Sequence, residues 1–484
     1  MTFLDELQKN ATPRARTANG AVALATTHSA VLDFFASAGA MRNNVAGAVK
    51  LFRAAFQEDR LLAVRTLFYL RDIRGGQGER ELFRALFKEL RKLAPETASA
   101  LLRFVPEFGR WDDLFAIAGT HSDVANLIYS QLLKDEADAR GGNSVSLLAK
   151  WAPSENASSK VAKQNARALA ESFGWSAREY RNRIVALRKY IGLLEQQMSN
   201  REWDEVQYGK LPSQAARKHN KAFRRHDGTR YEAFLDAVLS GKSKMNAGTV
   251  ATYEVLDVVR KGDNKTADAV WKSLPDYTNG VNALVVADTS GSMGSIGYNV
   301  GRTQPIDVST SLALYFAERN TGPFHNYFLT FSERPELVQV RGNTLTDKLR
   351  NISTANWGMN TDIQAVFNLV LKSAKAAGAT AEDVPKVIYI ISDMQFDRST
   401  RNSDLTAFQN AQEQFRQAGY ELPHLVFWNV NASGDHAPAH KNDSKVTLVS
   451  GLSQSTFRYV FEGKTPMESM LDILNSERYS VITV

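Results

Sequence analysis

No cysteine occurs in the 484 residues. Disulfide staples, thiolate zinc sites and cysteine nucleophiles are therefore excluded. Long apolar runs are missing too, with nothing near the ~20 residues of a membrane-spanning helix, and the opening "MTFLDELQKN" lacks the basic start and apolar core of a secretory signal. The expectation is a cytoplasmic protein with no membrane partner. Catalytic signatures are scarce as well. There is no Gly-x-x-x-x-Gly-Lys phosphate loop, no His-Glu-x-x-His and no Gly-x-Ser-x-Gly. No nucleophile or general base stands in a telling context, so the expectation is a protein that is not an enzyme.

What is present is ordinary in amount and uneven in distribution. Hydrophobic residues make up 43% and charged residues 23%, as in globular proteins, and the length calls for two or more domains. The formal charge of +7 conceals a split. Residues 281–484 carry 17 Lys and Arg against 20 Asp and Glu, whereas residues 1–280 carry 42 against 32. A polyanion is a candidate partner for the basic part, and a solvated basic surface is the plainer alternative.

From about Ala30 to Arg260 the periodicity is helical. "NVAGAVKLFRAAFQ", "RLLAVRTLFYLRDI" and "ERELFRALFKELRKLA" space apolar residues three and four apart. Brief breakers such as "RGGQG" (Arg74–Gly78) and "FGRWDD" (Phe108–Asp113) separate them. Helix pairs with short turns predict an α-helical repeat module, an α-solenoid or a ring of stacked hairpins. The glycines of "RDIRGGQGER" (Arg71–Arg80) either let backbone approach a phosphate or, as the simpler reading, form a helix–helix turn.

Near Asn282 the texture changes. "NALVVADTS", "HNYFLTFS", "KVIYIISD" and "HLVFWNVN" read as strands, and "PIDVSTSLALYFAERN", "NTDIQAVFNLVLKSAKAA" and "DLTAFQNAQEQFRQAG" as helices between them. Such alternation predicts a parallel, Rossmann-like sheet covered by helices. A final helix at "TPMESMLDILN" and a strand-like "YSVITV" follow, and the linker is expected at residues 260–280. The predicted organisation is α plus α/β: an extension over 1–29, a helical module over 30–275 and an α/β domain over 281–484.

In open α/β sheets ligands gather at the carboxyl ends of the strands. Three segments bring oxygen donors there: Asp288, Ser290 and Ser292 after the first strand, Thr361 and Asp362 in "NWGMNTDIQ", and Asp393 after "VIYIIS". With no His or Cys donor in these motifs, Mg2+ is the expected ion, with Mn2+ or Ca2+ as alternatives. Neutral hydroxyls leave the ion a net positive charge and an open position, suited to a carboxylate offered by a protein partner.

Asp288, Ser290, Ser292, Thr361 and Asp393 resemble the Asp-x-Ser-x-Ser, Thr and Asp elements of the von Willebrand factor A domain and its metal-ion-dependent adhesion site. The resemblance covers residues 281–484, with Asn360 or Asp362 as neighbouring donors if the threonine loop shifts register by one.

Two basic stretches mark the helical part. Lys150–Lys189 and Lys210–Lys244 each hold nine Lys and Arg against three acids. Such residues neutralise a nucleic-acid backbone, and Trp175, Tyr180 and Phe223 are candidates to stack on unpaired bases; solvated helix faces and core aromatics are the alternative. A helical module followed by a von Willebrand A domain resembles the Ro autoantigen family, whose helical part is termed TROVE. "GRWDDLFAI", "LLAKWAPSENAS" and "FRRHDGTRYEAFLDAVLSGKSK" look like local echoes of it. "YLRDIRGGQGERELF", "KWAPSENASS" and "WGMNTDIQAVF" are closer still to an uncharacterised TROVE-like family of plants, bacteria and large DNA viruses.

The resemblance implies HEAT-like repeats and binding of small noncoding RNA or single-stranded RNA ends. The residues to carry RNA are Lys160, Lys163 and Arg167, spaced for one helical face, with Arg217, Lys218, His219, Lys221, Arg224 and Arg225. The expected function is a non-enzymatic, Ro-like RNA-binding ribonucleoprotein component. The alternatives are a metal-dependent protein adaptor without RNA and a self-assembling structural oligomer.

Overall fold

Two antiparallel strands, β1 (Arg14–Arg16) and β2 (Val22–Leu24), form a small hairpin. Six more, β3 (Ala283–Asp288), β4 (Tyr327–Phe331), β5 (Leu337–Gln339), β6 (Val387–Ser392), β7 (His424–Asn429) and β8 (Val446–Ser450), build one sheet. The structure is a computed structural model. It describes residues 14–294, 303–331, 334–355, 362–380, 382–397, 406–432, 436–459 and 461–484.

The sheet order is β5-β4-β3-β6-β7-β8, parallel throughout except for β5 at one edge. In sheet numbering this is 3-2-1-4-5-6, the doubly wound order whose direction of winding reverses between its first and fourth strands. β3 and β6 are buried at every position because helices cover both faces of the sheet. That burial is why "ALVVAD" and "VIYIIS" read as continuous apolar runs. The expected α plus α/β class, with a mostly parallel C-terminal sheet, is what the chain adopts.

The chain folds into two compact units, one within Met1–Leu70, Arg74–Gln77 and Asn246–Thr483, the other within Arg71–Ile73 and Gly78–Met245. These units cut the chain elsewhere than the 30–275 and 281–484 division read from the sequence. Helix Ala30–Ala38, expected in the helical module, packs in the sheet-bearing unit. Ser450 at the end of β8 donates its hydroxyl to the Phe35 carbonyl (3.1 Å) and accepts from the Gly39 amide (3.0 Å). The predicted linker is likewise a packed layer: helix Asn264–Ser273 lies there, capped by Asp263. Trp271 on it meets Tyr315 edge-on, and Arg260 pairs with Asp307. Its polar residues imitate a linker in sequence, while Asp263, Ala267, Val270 and Trp271 are buried.

The "RGGQG" segment is a tight turn, as the simpler reading has it. The Arg74, Gly75 and Gly76 carbonyls accept from Arg458, the Tyr459 hydroxyl (2.8 Å) and Ser455 (3.1 Å). A Cβ on Gly76 would lie 2.0 Å from the Tyr69 carbonyl oxygen. The expected final helix is present as Pro466–Leu474, and one expectation fails at the C-terminus. The last strand is β8, and "YSVITV" is no strand: Glu477–Ser480 is a short helix, and Arg65 donates to the Ile482 and Ser480 carbonyls that a strand ladder would have used.

The other unit is helical, with helices Glu81–Leu93, Trp111–Ala118, Ser122–Arg140, Lys160–Ser172, Ala177–Ile191 and Ser213–Leu239 among its elements. Asp113 is fully buried and pairs with Arg71 (2.8 Å) and Arg84 (2.7 Å), so the carboxylate of "RWDD" is a structural anchor. Among the described residues no helix is long and apolar enough to cross a membrane.

Candidate functional site

β3 and β6 are direct neighbours, with Ala287 opposite Ile391. Their carboxyl ends therefore open at the point where the winding of the sheet reverses, where a doubly wound sheet leaves a crevice. β3 ends on Asp288, and its chain turns at once through a short 3-10 helix, Gly291–Met293. Asp288 accepts from the Ser290 amide at 2.9 Å, which folds the Asp-Thr-Ser stretch back on itself. The Ser290 and Ser292 hydroxyl oxygens then stand 3.1 Å apart. From β6, Ser392 donates its hydroxyl to the other Asp288 oxygen at 2.5 Å. Asp393 follows, accepting from the Gln395 amide (3.1 Å) and hydrogen-bonded to Ser292.

Asp288, Ser290, Ser292 and Asp393 thus come together in one place. The two carboxyls are 0% and 2% exposed, whereas Ser292 faces solvent. Burial, with the nearby Asp393 charge adding to it, pushes Asp288 up to about 7 against the Ser392 and Ser290 hydrogen bonds. Burial also raises Asp393, opposed by the Gln395 amide, the Ser292 hydroxyl and His436. Two carboxyls crowded out of water make ionisation costlier for each other. Among the described residues no three His, Asp or Glu side chains gather to hold a metal. The donors here are two carboxyls and two hydroxyls, hard oxygens of the kind Mg2+ takes. Thr361, with Asn360, lies outside the described residues. Asp362 caps helix Ile363–Ala377, accepting from the Ala365 amide at 3.1 Å.

Three partners of this site escaped the sequence reading. Ser392 was legible only as the residue before Asp393. His436, whose Nε2 lies 3.0 Å from the Met394 carbonyl, carried no signal. The third is the β1–β2 hairpin. Thr17 donates to the Phe396 carbonyl (2.6 Å), Asn19 to the Gln395 carbonyl (2.7 Å) and the Ala18 amide to the Gln395 side chain (2.6 Å). The chain's N-terminal region thereby clasps the segment that follows Asp393.

In the helical unit, Lys160, Lys163 and Arg167 lie along helix Lys160–Ser172; the first and last are exposed and Lys163 is half-buried. Arg217, Lys218, His219, Lys221, Arg224 and Arg225 lie on helix Ser213–Leu239, which kinks at Asp227. They do not act alike. Lys218, Lys221 and Arg225 are exposed, at spacings of one face. Arg217 turns to Gln214, Arg224 pairs with Glu232, and His219 packs near Phe223. The proposed stacking aromatics need correction. Tyr180 and Phe223 are buried at 1% and 0% exposure, the Tyr180 hydroxyl donating to the Pro153 carbonyl. Trp175 is half-buried and covered by the Arg183 guanidinium, 4.1 Å from its ring centre. Core packing claimed Tyr180 and Phe223 because they sit on the apolar faces of amphipathic helices.

The geometry defines a protein with a doubly wound α/β unit, oxygen donors at its switch point, and a separate basic helical unit. The chain belongs to the family described as "Domain of unknown function (DUF2828)", whose model matches residues 17–119 and 117–283. A second model, "Domain of unknown function (DUF7788)", matches residues 282–479. The chain is also similar to "Uncharacterized protein L728" of Acanthamoeba polyphaga mimivirus. The two are 29% identical over 504 residues, which cover 95% of this chain and 86% of that protein.

Proposed function

We propose that this chain is a non-catalytic, Ro-like binding protein whose α/β unit is a von Willebrand A-type domain with a metal-ion-dependent adhesion site. The observation that carries the reading is the convergence of Asp288, Ser290, Ser292 and Asp393 at the switch point of a 3-2-1-4-5-6 sheet. Ser290 and Ser292 would hold Mg2+ directly, Asp288 and Asp393 would supply its negative charge, and Thr361 completes the set in the sequence motif. Bound there, the ion offers an electrophilic position for a partner's Asp or Glu. The protein's own contribution is to keep the donors oriented: Ser392 holds Asp288, and the Gln395 amide holds Asp393.

Titration of the full chain with Mn2+, read by electron paramagnetic resonance, tests this. One bound ion per chain, displaced by Mg2+ and weakened at least about tenfold by Asp288→Asn or Ser290→Ala, is expected. Wild-type protein that leaves Mn2+ free in solution would overturn the reading.

A second reading, RNA binding by the helical unit, is favoured by one observation. Lys160, Lys163, Arg167, Lys218, Lys221 and Arg225 form no ion pair among the described residues, so their charge is available to phosphates. The loss of Tyr180 and Phe223 to the core shifts that reading toward backbone contacts and away from base stacking.

A further inference from the structure

Helix Ser213–Leu239 carries Arg217, Lys218, Lys221, Arg224 and Arg225 and no acidic residue before its kink at Asp227. The last residue before the kink is His226, which is exposed. Its imidazole lies flat against the indole of Trp203, with ring centres 4.6 Å apart and planes within 10°. Among the described residues no other ring, hydrogen bond or ion pair engages the His226 side chain, so the outer face of its ring is turned to water.

The fold holds this stack in place. Trp203 opens a short 3-10 turn, Trp203–Glu205, and Phe223 braces its ring edge-on at 6.5 Å. Arg230, beyond the kink, donates to the Trp203 (2.9 Å) and Val206 (2.8 Å) carbonyls and pairs with Asp227 at 2.9 Å. Asp227 also accepts from the Tyr208 hydroxyl at 2.7 Å. The kink is thereby tied to the segment that carries Trp203. Lys218, Ala222 and His226 follow one another at four-residue spacing, which sets His226 at the edge of the exposed Lys218, Lys221 and Arg225 face. Asp204 and Glu205, exposed after Trp203, repel a phosphate chain from the turn and favour the helix for it.

We propose that the Trp203–His226 stack is a base platform: an unpaired base of a nucleic-acid strand lies on the outer face of the His226 ring while Lys218, Lys221 and Arg225 take neighbouring phosphates. The proposal rests on the nucleic-acid reading above and adds the element that discriminates between strands. Lysine and arginine alone neutralise the phosphates of paired and unpaired strands. A bare ring face accepts only a base whose own face is bare, and the interior of a duplex offers none. His226 is thus a specificity residue for unpaired strands.

Fluorescence anisotropy of the full chain with a labelled oligouridine, and with an RNA duplex of the same length, tests this. Wild type is expected to prefer the single strand. His226→Ala should weaken single-strand binding at least about fivefold, the loss of one stacked base, with duplex binding and the slope of log K against log salt unchanged. His226→Phe should restore the preference. A 2-aminopurine set into the oligouridine should lose fluorescence on wild type and keep it on His226→Ala. Equal single-strand affinity of wild type and His226→Ala would overturn the inference and leave phosphate binding intact, as would a duplex held by wild type as tightly as the single strand. Wild type that binds neither nucleic acid would sink the nucleic-acid reading itself, and the platform with it.

Discussion

Ser392 donates its hydroxyl to the Asp288 carboxyl across neighbouring strand ends, at 2.5 Å, with both residues fully buried. The pair joins the first and fourth strands of the sheet order at the crevice, so it tunes the site and ties the sheet together. Ser392→Ala should lower stability by about 1–3 kcal/mol, because a buried acceptor loses its donor. Combined with Asp288→Asn, the effects should be less than additive. Urea unfolding of the four proteins measures this, and strict additivity would show that the hydrogen bond carries no energy of its own.

His424 at the start of β7 is buried, and that burial, with Lys445 and Lys464 nearby, pushes it down to about 4. In the unfolded chain it takes up a proton near ~6.5. Between those values the unfolded state binds more protons, so stability falls as the pH drops from 6.5 toward 4. The full difference corresponds to about 3 kcal/mol. Urea midpoints across that window should fall steeply for wild type and distinctly less for His424→Gln. Equal slopes would mean another group governs the acid limb.

Gly76 and Gly228 should answer to alanine with opposite signs. A Cβ at Gly76 meets the Tyr69 carbonyl oxygen at 2.0 Å, a backbone atom that has no room to retreat. Gly76→Ala should therefore cost at least about 2 kcal/mol. At Gly228, inside helix Ser213–Leu239, a Cβ meets nothing within 4 Å. Gly228→Ala should raise stability by roughly 0.5 kcal/mol by restricting the unfolded chain. Thermal melts of both variants decide it.

A fragment of residues 281–484, cut where the sequence texture changes, should fail to unfold cooperatively. It lacks helix Ala30–Ala38, which Ser450 bonds, and helix Asn264–Ser273, whose Trp271 packs on Tyr315. A fragment of residues 71–245 keeps its compact unit, with Arg71 on the buried Asp113, and should give a cooperative melt. Calorimetry on the two is the measurement, and a sharp transition from 281–484 alone would refute the assignment of the N-terminal helices to the sheet.

For RNA, reversing Lys218 and Lys221 to Glu should weaken binding of a single-stranded oligonucleotide uniformly across sequences. The slope of log K against log salt should shrink by about 0.7 for each phosphate that is no longer neutralised. Arg224→Glu removes a residue already paired with Glu232 and should change that slope less. Salt-insensitive binding would eliminate the phosphate reading.

Local patterns were legible because they depend on neighbours in the chain. Unbroken apolar runs marked β3, β4, β6 and β7, since a parallel strand buried on both faces has no polar side to show. The Asp-x-Ser-x-Ser spacing placed three oxygens in one turn because the Ser290 amide folds back onto Asp288. Other elements were harder: β5, with 3 residues, carries too little pattern, β8 went unread, and "YSVITV" imitates a strand by composition alone.

The sequence by itself thus determined the order of helices and strands and the presence of hard oxygen donors at strand ends. Tertiary structure decided which residues answer them. Ser392 on Asp288, Thr17 on Phe396 and Ser450 on Phe35 are meetings between segments far apart in the chain, and no periodicity encodes them. It also decided which aromatic rings face water, because Tyr180 and Phe223 satisfy the same helical spacing whether they stack on a ligand or fill a core. Spacing sets only the face of a helix; what that face meets depends on where distant parts of the chain come to rest.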